Sequence, residues 1–254
     1  MNARVLAAAL LALAPASAGA SAGRPALALT ASPSHVTLAG AASATIRVAN
    51  PGSSPLLVEA APAGFALSLR GRPRVLLAGA SARRAAAWLT VRPSRVVLAA
   101  GGGSTLRLAA SPRQGAAPGD HPAVVVLTAQ TSRGAGVAVR MRIGITVVVR
   151  VAGRTRHRLA VRSLQVRRTA HGSVVRLVVG NDGNVVERLP RGGLRVSLLS
   201  GGHVVAELRS RSRDLLPDSR ALFELPYPAW LRGRVTARVA VGGMPRPRAF
   251  QLQL

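Results

Sequence analysis

The chain has 254 residues, with 35 basic and 8 acidic side chains, a net charge of +27 and no cysteine. Without cysteine it can form no disulfide bond and no thiolate metal site, and no lipid can be attached to a cysteine after an export signal. Every basic residue is Arg, which is typical of a GC-rich genome, but this bias does not explain the excess of Arg over acids. The excess predicts a positive field that attracts polyanions.

The first 22 residues are interpreted as a signal peptide. Arg4 precedes an apolar run from Val5 to Leu13, and Ala16-Ser17-Ala18 offers a small-residue cleavage site, with two further sites before Gly23. The run is too short to cross ~30 Å of hydrocarbon. The sequence therefore predicts an exported protein with no transmembrane segment in its mature chain. We expect it to be extracellular, associated with the cell wall, or periplasmic.

Alternation of apolar and polar residues predicts a long β-strand before residue 152. Every second residue from Val137 to Val151 is apolar, while Arg140, Arg142 and Arg150 lie between them. Successive side chains of a strand point to opposite faces, so one face should be buried and the other solvated. The residues expected to face the core are Val139, Ile143, Ile145 and Val147.

The same alternation recurs in short runs along the whole chain. Examples lie at 172–179 and 233–241, and Gly and Pro clusters separate the runs about every ten residues. Many short strands with turn signals at this spacing indicate a β-sandwich or a barrel.

One phrase occurs twice, 60 residues apart. It reads PSHVTLAGAASATIRVA from Pro33 and PSRVVLAAGGGSTLRLA from Pro93, with eight identical positions among seventeen. Each copy predicts two short strands around a turn of small residues. Since a complete seven-stranded sandwich takes about 100 residues, we favour one sandwich with two similar halves over two repeated domains.

Turn residues around these strands carry a resemblance to known proteins. Asn50-Pro51-Gly52 follows the first copy of the phrase, Trp88 precedes the second, and Pro118-Gly119-Asp120-His121 leads into a Val-rich strand. This order resembles the immunoglobulin-like, pilus-chaperone-like domains of bacterial surface proteins. It is similar in particular to the first domain of the WxL-interacting surface protein family, over residues 27–151. The resemblance implies a non-catalytic module that contacts peptidoglycan or surface proteins.

The second half resembles an immunoglobulin-like domain of the bacterial cell-adhesion-related type. Asn181-Asp182-Gly183-Asn184 occupies the position of the Asn-Thr-Gly-Asn turn of such domains. The expected fold class is therefore all-β, with two tandem immunoglobulin-like β-sandwiches after the signal peptide. We place the first at 24–152, a basic linker at 153–158 and the second at 159–254.

Side chains that could carry catalysis or bind a metal are scattered through the sequence. It has no paired carboxylates, no nucleophile elbow and no phosphate-binding loop, and its five His residues lie singly. The turn at Asn181 lacks the further acidic ligands of a calcium loop. We therefore expect no enzymatic activity, no cofactor and no metal. Few aromatic residues, together with export, argue against nucleic acid as a partner.

Two functions remain open. The first is a cell-envelope binding or structural protein that contacts surface proteins or anionic cell-wall polymers. The alternative is a periplasmic assembly chaperone that caps the exposed strands of secreted β-rich subunits with its own edge. Recognised pilus chaperones use a paired Arg and Lys in their cleft, and this chain has no Lys. The sequence therefore favours the first function.

Two groups of residues are candidates for contacts with partners. Tyr227 and Trp230 lie between prolines and form a candidate contact loop, although packing over one end of the sandwich is the simpler interpretation. The predicted site for anionic polymers consists of Arg140, Arg142, Arg150, Arg154, Arg156 and Arg158.

Overall fold

The computed structural model describes residues 27–76, 85–131, 139–242, 244 and 246–254. The predicted signal peptide and the beginning of the predicted strand at Val137 lie outside these residues. The described residues form nineteen β-strands, arranged as two sandwich-like units with separate hydrophobic cores. The expected all-β fold class is confirmed. No helix among the described residues is long and apolar enough to cross a membrane.

The N-terminal unit contains ten strands in two sheets. One sheet has the order β1-β3-β8-β6, and the other has the order β2-β10-β9-β4-β5, with β7 paired to β4. The strands are β1 (Thr30–Ser32), β2 (His35–Ala39), β3 (Ser43–Ala49), β4 (Leu56–Leu67), β5 (Pro73–Leu76), β6 (Leu89–Arg92), β7 (Arg95–Leu98), β8 (Gly103–Ala110), β9 (Gly119–Thr131) and β10 (Arg140–Val151).

The repeated phrase forms the same structure twice within this unit. In each copy the first strand, β2 or β7, lies in one sheet and the second, β3 or β8, lies in the other. The two second strands pair with each other, so that Ile46 lies opposite Leu106, and both side chains are fully buried. Arg47 and Arg107 point to solvent on the other face. The phrase recurs because the chain makes the same crossing between sheets twice, inside one sandwich.

The C-terminal unit contains nine strands. They form three sheets with the orders β11-β12-β17, β13-β16 and β15-β14-β18-β19. The strands are β11 (Leu159–Thr169), β12 (Gly172–Asn181), β13 (Glu187–Leu189), β14 (Leu194–Ser200), β15 (His203–Arg209), β16 (Arg213–Leu215), β17 (Ser219–Tyr227), β18 (Arg234–Val241) and β19 (Arg248–Gln253).

Each unit is held together by its own apolar cluster. Inward-facing residues such as Leu127 and Ile145 form the N-terminal core, and residues such as Leu177 and Val196 form the C-terminal core. The two clusters have no residue in common. The division into independently folding domains at 24–152 and 159–254 stays a prediction.

A buried Asn fixes the turn after β3. The Nδ2 atom of Asn50 donates hydrogen bonds to the carbonyl oxygens of Ser54 at 2.9 Å and of Leu98 at 3.3 Å. Its Oδ1 atom accepts the backbone N–H of Gly52 at 3.0 Å. Because Asn50 is fully buried, these bonds replace the water that its amide gives up on folding.

Asn181 forms the same turn in the C-terminal unit. Its Nδ2 atom donates to the carbonyl oxygens of Val185 at 2.8 Å and of Leu215 at 3.1 Å, and its Oδ1 atom accepts the N–H of Gly183 at 2.9 Å. Asn181 is also fully buried. An Asn-x-Gly turn that bonds to a distant strand therefore occurs once in each unit, as expected if the two units share one architecture.

Candidate partner-binding edge

Strand β10 is only partly covered by its neighbour β2. The two strands pair in parallel from Thr146 to Arg150, whereas β9 covers the other side of β10 over its whole length. The backbone N–H of Thr146 donates to the carbonyl oxygen of Ser34 at 3.0 Å, on the β2 side. Alternate residues of a strand point their N–H and C=O groups to the same side. The earlier residues Arg140, Arg142 and Gly144 therefore direct their backbone groups away from β9.

These backbone groups form an open edge, which we call the free edge of β10 (residues 140–145). Among the described residues, no strand pairs with this edge, and no backbone hydrogen bond reaches Arg140, Arg142 or Gly144 from outside β9. An open row of N–H and C=O groups is a template for another strand. The free edge is therefore a candidate binding site.

The apolar side chains of β10 become more exposed towards the free edge. Ile145 is fully buried, Ile143 and Met141 are partly buried against the core, and Val139 is 52% exposed. The prediction that Val139 faces the core is therefore wrong, although Val139, which directly precedes β10, continues the alternation of its apolar residues. Among the described residues β2 does not reach the start of the strand, and the apolar stripe continues out of the core to the surface.

The predicted arginine site does not form one cluster. Arg140 and Arg142 are exposed beside the free edge, on the face opposite the apolar stripe. Arg150 lies eight residues after Arg142 on the same strand, which corresponds to roughly 26 Å at a rise of ~3.3 Å per residue. The role of these residues in binding anionic polymers stays a prediction.

Arg150 is bound to a buried carboxylate at the junction of the two units. Its Nε and Nη2 atoms donate to Asp120 at 2.6 Å and 2.9 Å, and the backbone N–H of Val186 donates to the same carboxylate at 2.8 Å. The Asp120 side chain is fully buried. Burial raises the pKa of Asp120, but the hydrogen bonds from Arg150 and Val186 outweigh it, so the pKa lies below its ordinary value. Asp120 thus connects the N-terminal unit to the C-terminal unit.

Substituting Asp120 by Asn is expected to destabilise the protein by about 1–3 kcal/mol at neutral pH, because Arg150 and the Val186 N–H lose a charged acceptor. A carboxyl whose pKa is lowered by folding stabilises the folded state above its unfolded pKa of about 3.9, and this stability is lost as the pH falls through the folded pKa. Urea unfolding from pH 7 to pH 3 should therefore show a weaker acid dependence in the variant than in the wild type. A Glu59→Gln variant is the control, since it removes an exposed ion pair with Arg95; equal losses in the two variants would contradict this role of Asp120.

The linker arginines are exposed, while the backbone between them is held in place. The side chains of Arg154, Arg156 and Arg158 all face solvent. Asn184 donates from Nδ2 to the carbonyl oxygens of Pro118 at 2.8 Å and Arg154 at 2.9 Å, and its Oδ1 accepts the Arg156 N–H at 2.6 Å. Asn184 therefore ties the linker to both units. The sequence predicted only a turn at Asn184, because the carbonyl groups that Asn184 binds belong to residues 30 and 66 positions away.

Gly119 is required by this junction. A Cβ atom at this position would lie 2.2 Å from the backbone oxygen of Asn184, and its φ of +124° is rarely adopted by residues with side chains. The backbone N–H of Asp120 donates to the same oxygen at 2.7 Å. The Gly-Asp pair of the sequence thus lets the two units approach closely.

Tyr227 and Trp230 differ in their surroundings. Tyr227 is partly buried against the C-terminal core. Trp230 is 54% exposed, and its Nε1 atom donates to the carbonyl oxygen of Thr169 at 3.2 Å. Together with Arg168 and Arg232 it lines a cavity of about 230 Å³. A contact role for this loop stays a prediction.

The described residues contain no group of three or more His, Asp or Glu side chains placed to hold a metal ion. His121 packs its ring edge-on against Trp88, with the ring centroids 4.9 Å apart, and its Nε2 lies 2.8 Å from the carbonyl oxygen of Ala117. His121 is thus a packing residue of the junction.

No protein-family model and no curated protein matches the sequence. Solved structures of similar shape include a chain of the Salmonella enterica SafA pilin in complex with the SafB chaperone. It is 16% identical, with 90% of this chain and 97% of that chain covered and a TM-score of 0.47. A chain of the CsuC-CsuE chaperone-tip adhesion subunit complex of Acinetobacter baumannii is 13% identical, with coverages of 89% and 98% and a TM-score of 0.48. The E. coli chaperone DraB is 15% identical, with coverages of 90% and 99% and a TM-score of 0.45.

These chains fit the pilus-chaperone-like part of the resemblance seen in the sequence. A relation to the WxL-interacting surface protein family stays a hypothesis. The feature of the molecule that bears on function is the free edge of β10.

Proposed function

We propose that this protein is an exported, non-catalytic chaperone that binds unpaired strands of β-rich subunits at the free edge of β10. The observation that carries this proposal is the pairing of β2 with β10, which begins only at Thr146 and leaves residues 140–145 open. This is the alternative function of the sequence analysis, and we now place it above binding to the cell envelope.

The backbone of the free edge supplies affinity for an extended chain. Arg140, Arg142 and Gly144 each present an N–H and a C=O group on the same side. A strand laid along them would continue the sheet through main-chain hydrogen bonds, which is the β-augmentation mode of peptide recognition. Native proteins usually protect such edges with short strands, prolines, bulges or covering loops. Among the described residues, no covering strand or loop is found at the free edge.

The side chains beside the free edge favour an apolar partner strand. Val139, Met141 and Ile143 form a stripe that leads from the exposed surface into the core. A partner with alternating apolar residues would bury its own stripe against this one. Strands of that kind occur in β-rich subunits whose sheet lacks a strand, and they aggregate when left uncovered. Capping them after export is the chaperone activity that the edge supports.

The missing Lys does not weaken this proposal, because strand addition uses backbone groups. Of the solved structures of similar shape, one is named as a chaperone and two as complexes of a chaperone with a pilin or an adhesion subunit, which agrees with the proposal. A periplasmic location would place the protein where such subunits are assembled. Binding to anionic polymers remains the second candidate function. The six Arg residues predicted to bind such polymers do not form one cluster.

A proline at position 142 tests the proposal. The N–H of Arg142 points away from β9, so an Arg142→Pro substitution removes a donor of the free edge and keeps the ladder with β9. We expect the variant to lose at least about tenfold in affinity for a co-expressed, exported β-rich subunit that lacks one strand. Arg142→Ser is the matched control, because it removes the same charge and keeps the N–H.

Two measurements show the result. Co-purification reports whether the subunit is retained, and amide hydrogen exchange reports whether residues 140–145 become protected in the complex. Retention by the Ser variant and loss in the Pro variant would support strand addition. If both variants lose the subunit, the charge of Arg142 is what matters. If neither loses it, the free edge is not the binding site.

A further inference from the structure

The C-terminal unit contains a cavity of about 780 Å³ between β15 and β17, which we call the arginine cavity. Its size lies within the range of ~300–1,000 Å³ of small-molecule sites. Four of its lining residues are basic and one is acidic. The charged lining residues are Arg191, Arg209, Arg211, Arg213 and Glu224.

The sequence Arg209-Ser210-Arg211-Ser212-Arg213 places three guanidinium groups along one wall. Ser210 is buried, and its Oγ accepts the backbone N–H of Leu194 at 3.3 Å. Its backbone also bonds to both sides of the adjoining turn, with Gly192 and with Leu194. Ser210 therefore anchors the segment 209–213 in the core. Arg209, Arg211 and Arg213 of this segment all line the arginine cavity. Their spacing of two residues corresponds to roughly 6–7 Å.

The positive charge of the arginine cavity is poorly compensated. Within the described residues, Arg191, Arg211 and Arg213 form no ion pair, while Arg209 contacts Glu207 at 3.5 Å with both side chains more than half exposed. An exposed pair of this kind contributes little. The arginine cavity therefore retains a net positive charge.

Glu224 does not neutralise this charge either. Its carboxylate accepts hydrogen bonds from Arg70 at 3.2 Å and 3.4 Å and lies 3.4 Å from Arg176, neither of which lines the cavity. The hydrogen bond from Arg70 lowers the pKa of Glu224 below its ordinary value. Glu224 is thus ionised and engaged by two cations outside the arginine cavity.

Arg213 is a lining residue of the arginine cavity whose guanidinium is held in a fixed position. Its Nη1 atom donates to the carbonyl oxygen of Leu222 and its Nη2 atom to that of Leu69, both at 2.7 Å. Its Nε atom is buried and has no hydrogen-bond partner in the described part of the chain. Burial lowers the pKa of Arg213. A partly buried cation without a counter-ion is unfavourable, and a bound anion would relieve this cost.

An added peptide strand is a poor fit to this cavity. The outward N–H of Leu222 is already bonded to the carbonyl oxygen of Leu69 at 2.7 Å, and its C=O is bonded to Arg213. Pro226 lies four residues after Leu222 on the same outer edge of β17, and it has no N–H. Between these two positions, only Glu224 presents both a backbone N–H and a backbone C=O group to the outside of the sheet. The edge that lines the arginine cavity is therefore protected against strand addition.

We infer that the arginine cavity binds a phosphate-bearing small molecule or headgroup, held by Arg191, Arg209 and Arg211 in front of the fixed charge of Arg213. Phosphate carries up to two charges and can accept paired hydrogen bonds from more than one guanidinium, whereas a single carboxylate satisfies one fork. The cavity is far larger than one phosphate, so the ligand should carry the phosphate on a larger body. The site lies in the other unit from the free edge and does not depend on strand capping.

Calorimetric titration with inorganic pyrophosphate, at low and at high salt, tests the inference on the full mature chain. We expect one binding site whose affinity falls with salt. The variant Arg191→Ser/Arg211→Ser removes two exposed guanidinium groups, and we expect it to weaken binding by about tenfold or more. The matched control is Arg47→Ser/Arg113→Ser, which removes two exposed Arg residues from the N-terminal unit and should change the affinity by less than about twofold.

The source of the phosphate is distinguished by sedimentation with vesicles of phosphatidylglycerol. Loss of sedimentation in the cavity variant, and not in the control, would show that the cavity accepts a lipid headgroup. Sedimentation that is absent or equal in all proteins, with pyrophosphate binding lost only in the cavity variant, would identify a soluble phosphate compound as the ligand. Equal weakening of pyrophosphate binding in both double variants, or no binding by the wild type, would overturn the inference.

Discussion

Replacing Val147 by Asp is expected to unfold the N-terminal unit, with a loss of about 3 kcal/mol or more. Val147 is fully buried in the middle of β10, where β2 and β9 both pair with the strand. A carboxylate at this position would have no partner and no water. Urea unfolding followed by circular dichroism measures the loss, and we expect the transition of the N-terminal unit to move or to disappear.

Arg140→Ser is the control for this prediction, because Arg140 lies on the same strand and points to solvent. We expect a change within about 0.5 kcal/mol, as is usual for surface positions. Equal destabilisation by the two substitutions would mean that the faces of β10 are assigned incorrectly.

Removing either buried Asn is expected to destabilise only the unit that contains it. Asn50→Ala removes the side-chain donor of three carbonyl oxygens and Asn181→Ala that of two, and in each variant one glycine N–H loses its acceptor. Leaving a buried polar group unsatisfied costs about 1–3 kcal/mol, so each substitution should cost at least about 2 kcal/mol. Thermal unfolding of the full chain and of the fragments 24–152 and 159–254 measures the effect in each unit.

This experiment also tests the proposed domain boundaries. If each fragment folds and melts by itself, Asn50→Ala should lower the melting temperature of the first fragment, and Asn181→Ala that of the second. Asn184→Ala is the control, since its bonds join the linker and the two units and do not lie in either core. A fragment that fails to fold, or an Asn50→Ala effect that appears equally in both units, would show that the chain is one cooperative domain.

Strand alternation identified most of the core residues correctly, since every second residue of a half-buried strand must be apolar. Ile145 and Val147 are buried and Arg140 is exposed, as expected. Val139 follows the same pattern and is exposed. Its exposure depends on where the pairing with β2 begins, at His35 opposite Thr146, and this is decided by residues more than 100 positions apart. The local pattern contains no information about such an edge.

Charge was predicted less well than the core, because a sequence gives the number of charges and not their neighbours. Arg150 seemed equivalent to Arg140 and Arg142, but it binds the buried Asp120. The group Arg209-Ser210-Arg211-Ser212-Arg213 does not stand out by composition in a chain with 35 Arg residues. It forms a cavity wall only because Ser210 is anchored in the core and β17 lies opposite.

The sequence by itself determined the all-β class, the two faces of each strand and the turns at Asn50 and Asn181, because these depend on side-chain period and on local backbone geometry. Only the tertiary structure decided which backbone groups remain without a partner and which charges meet. The free edge exists because β2 pairs with β10 only from Thr146 onwards, and the arginine cavity exists because two sheets present their edges to each other. Both sites consist of groups left uncovered by long-range pairing, and long-range pairing is set by the packing of the whole chain.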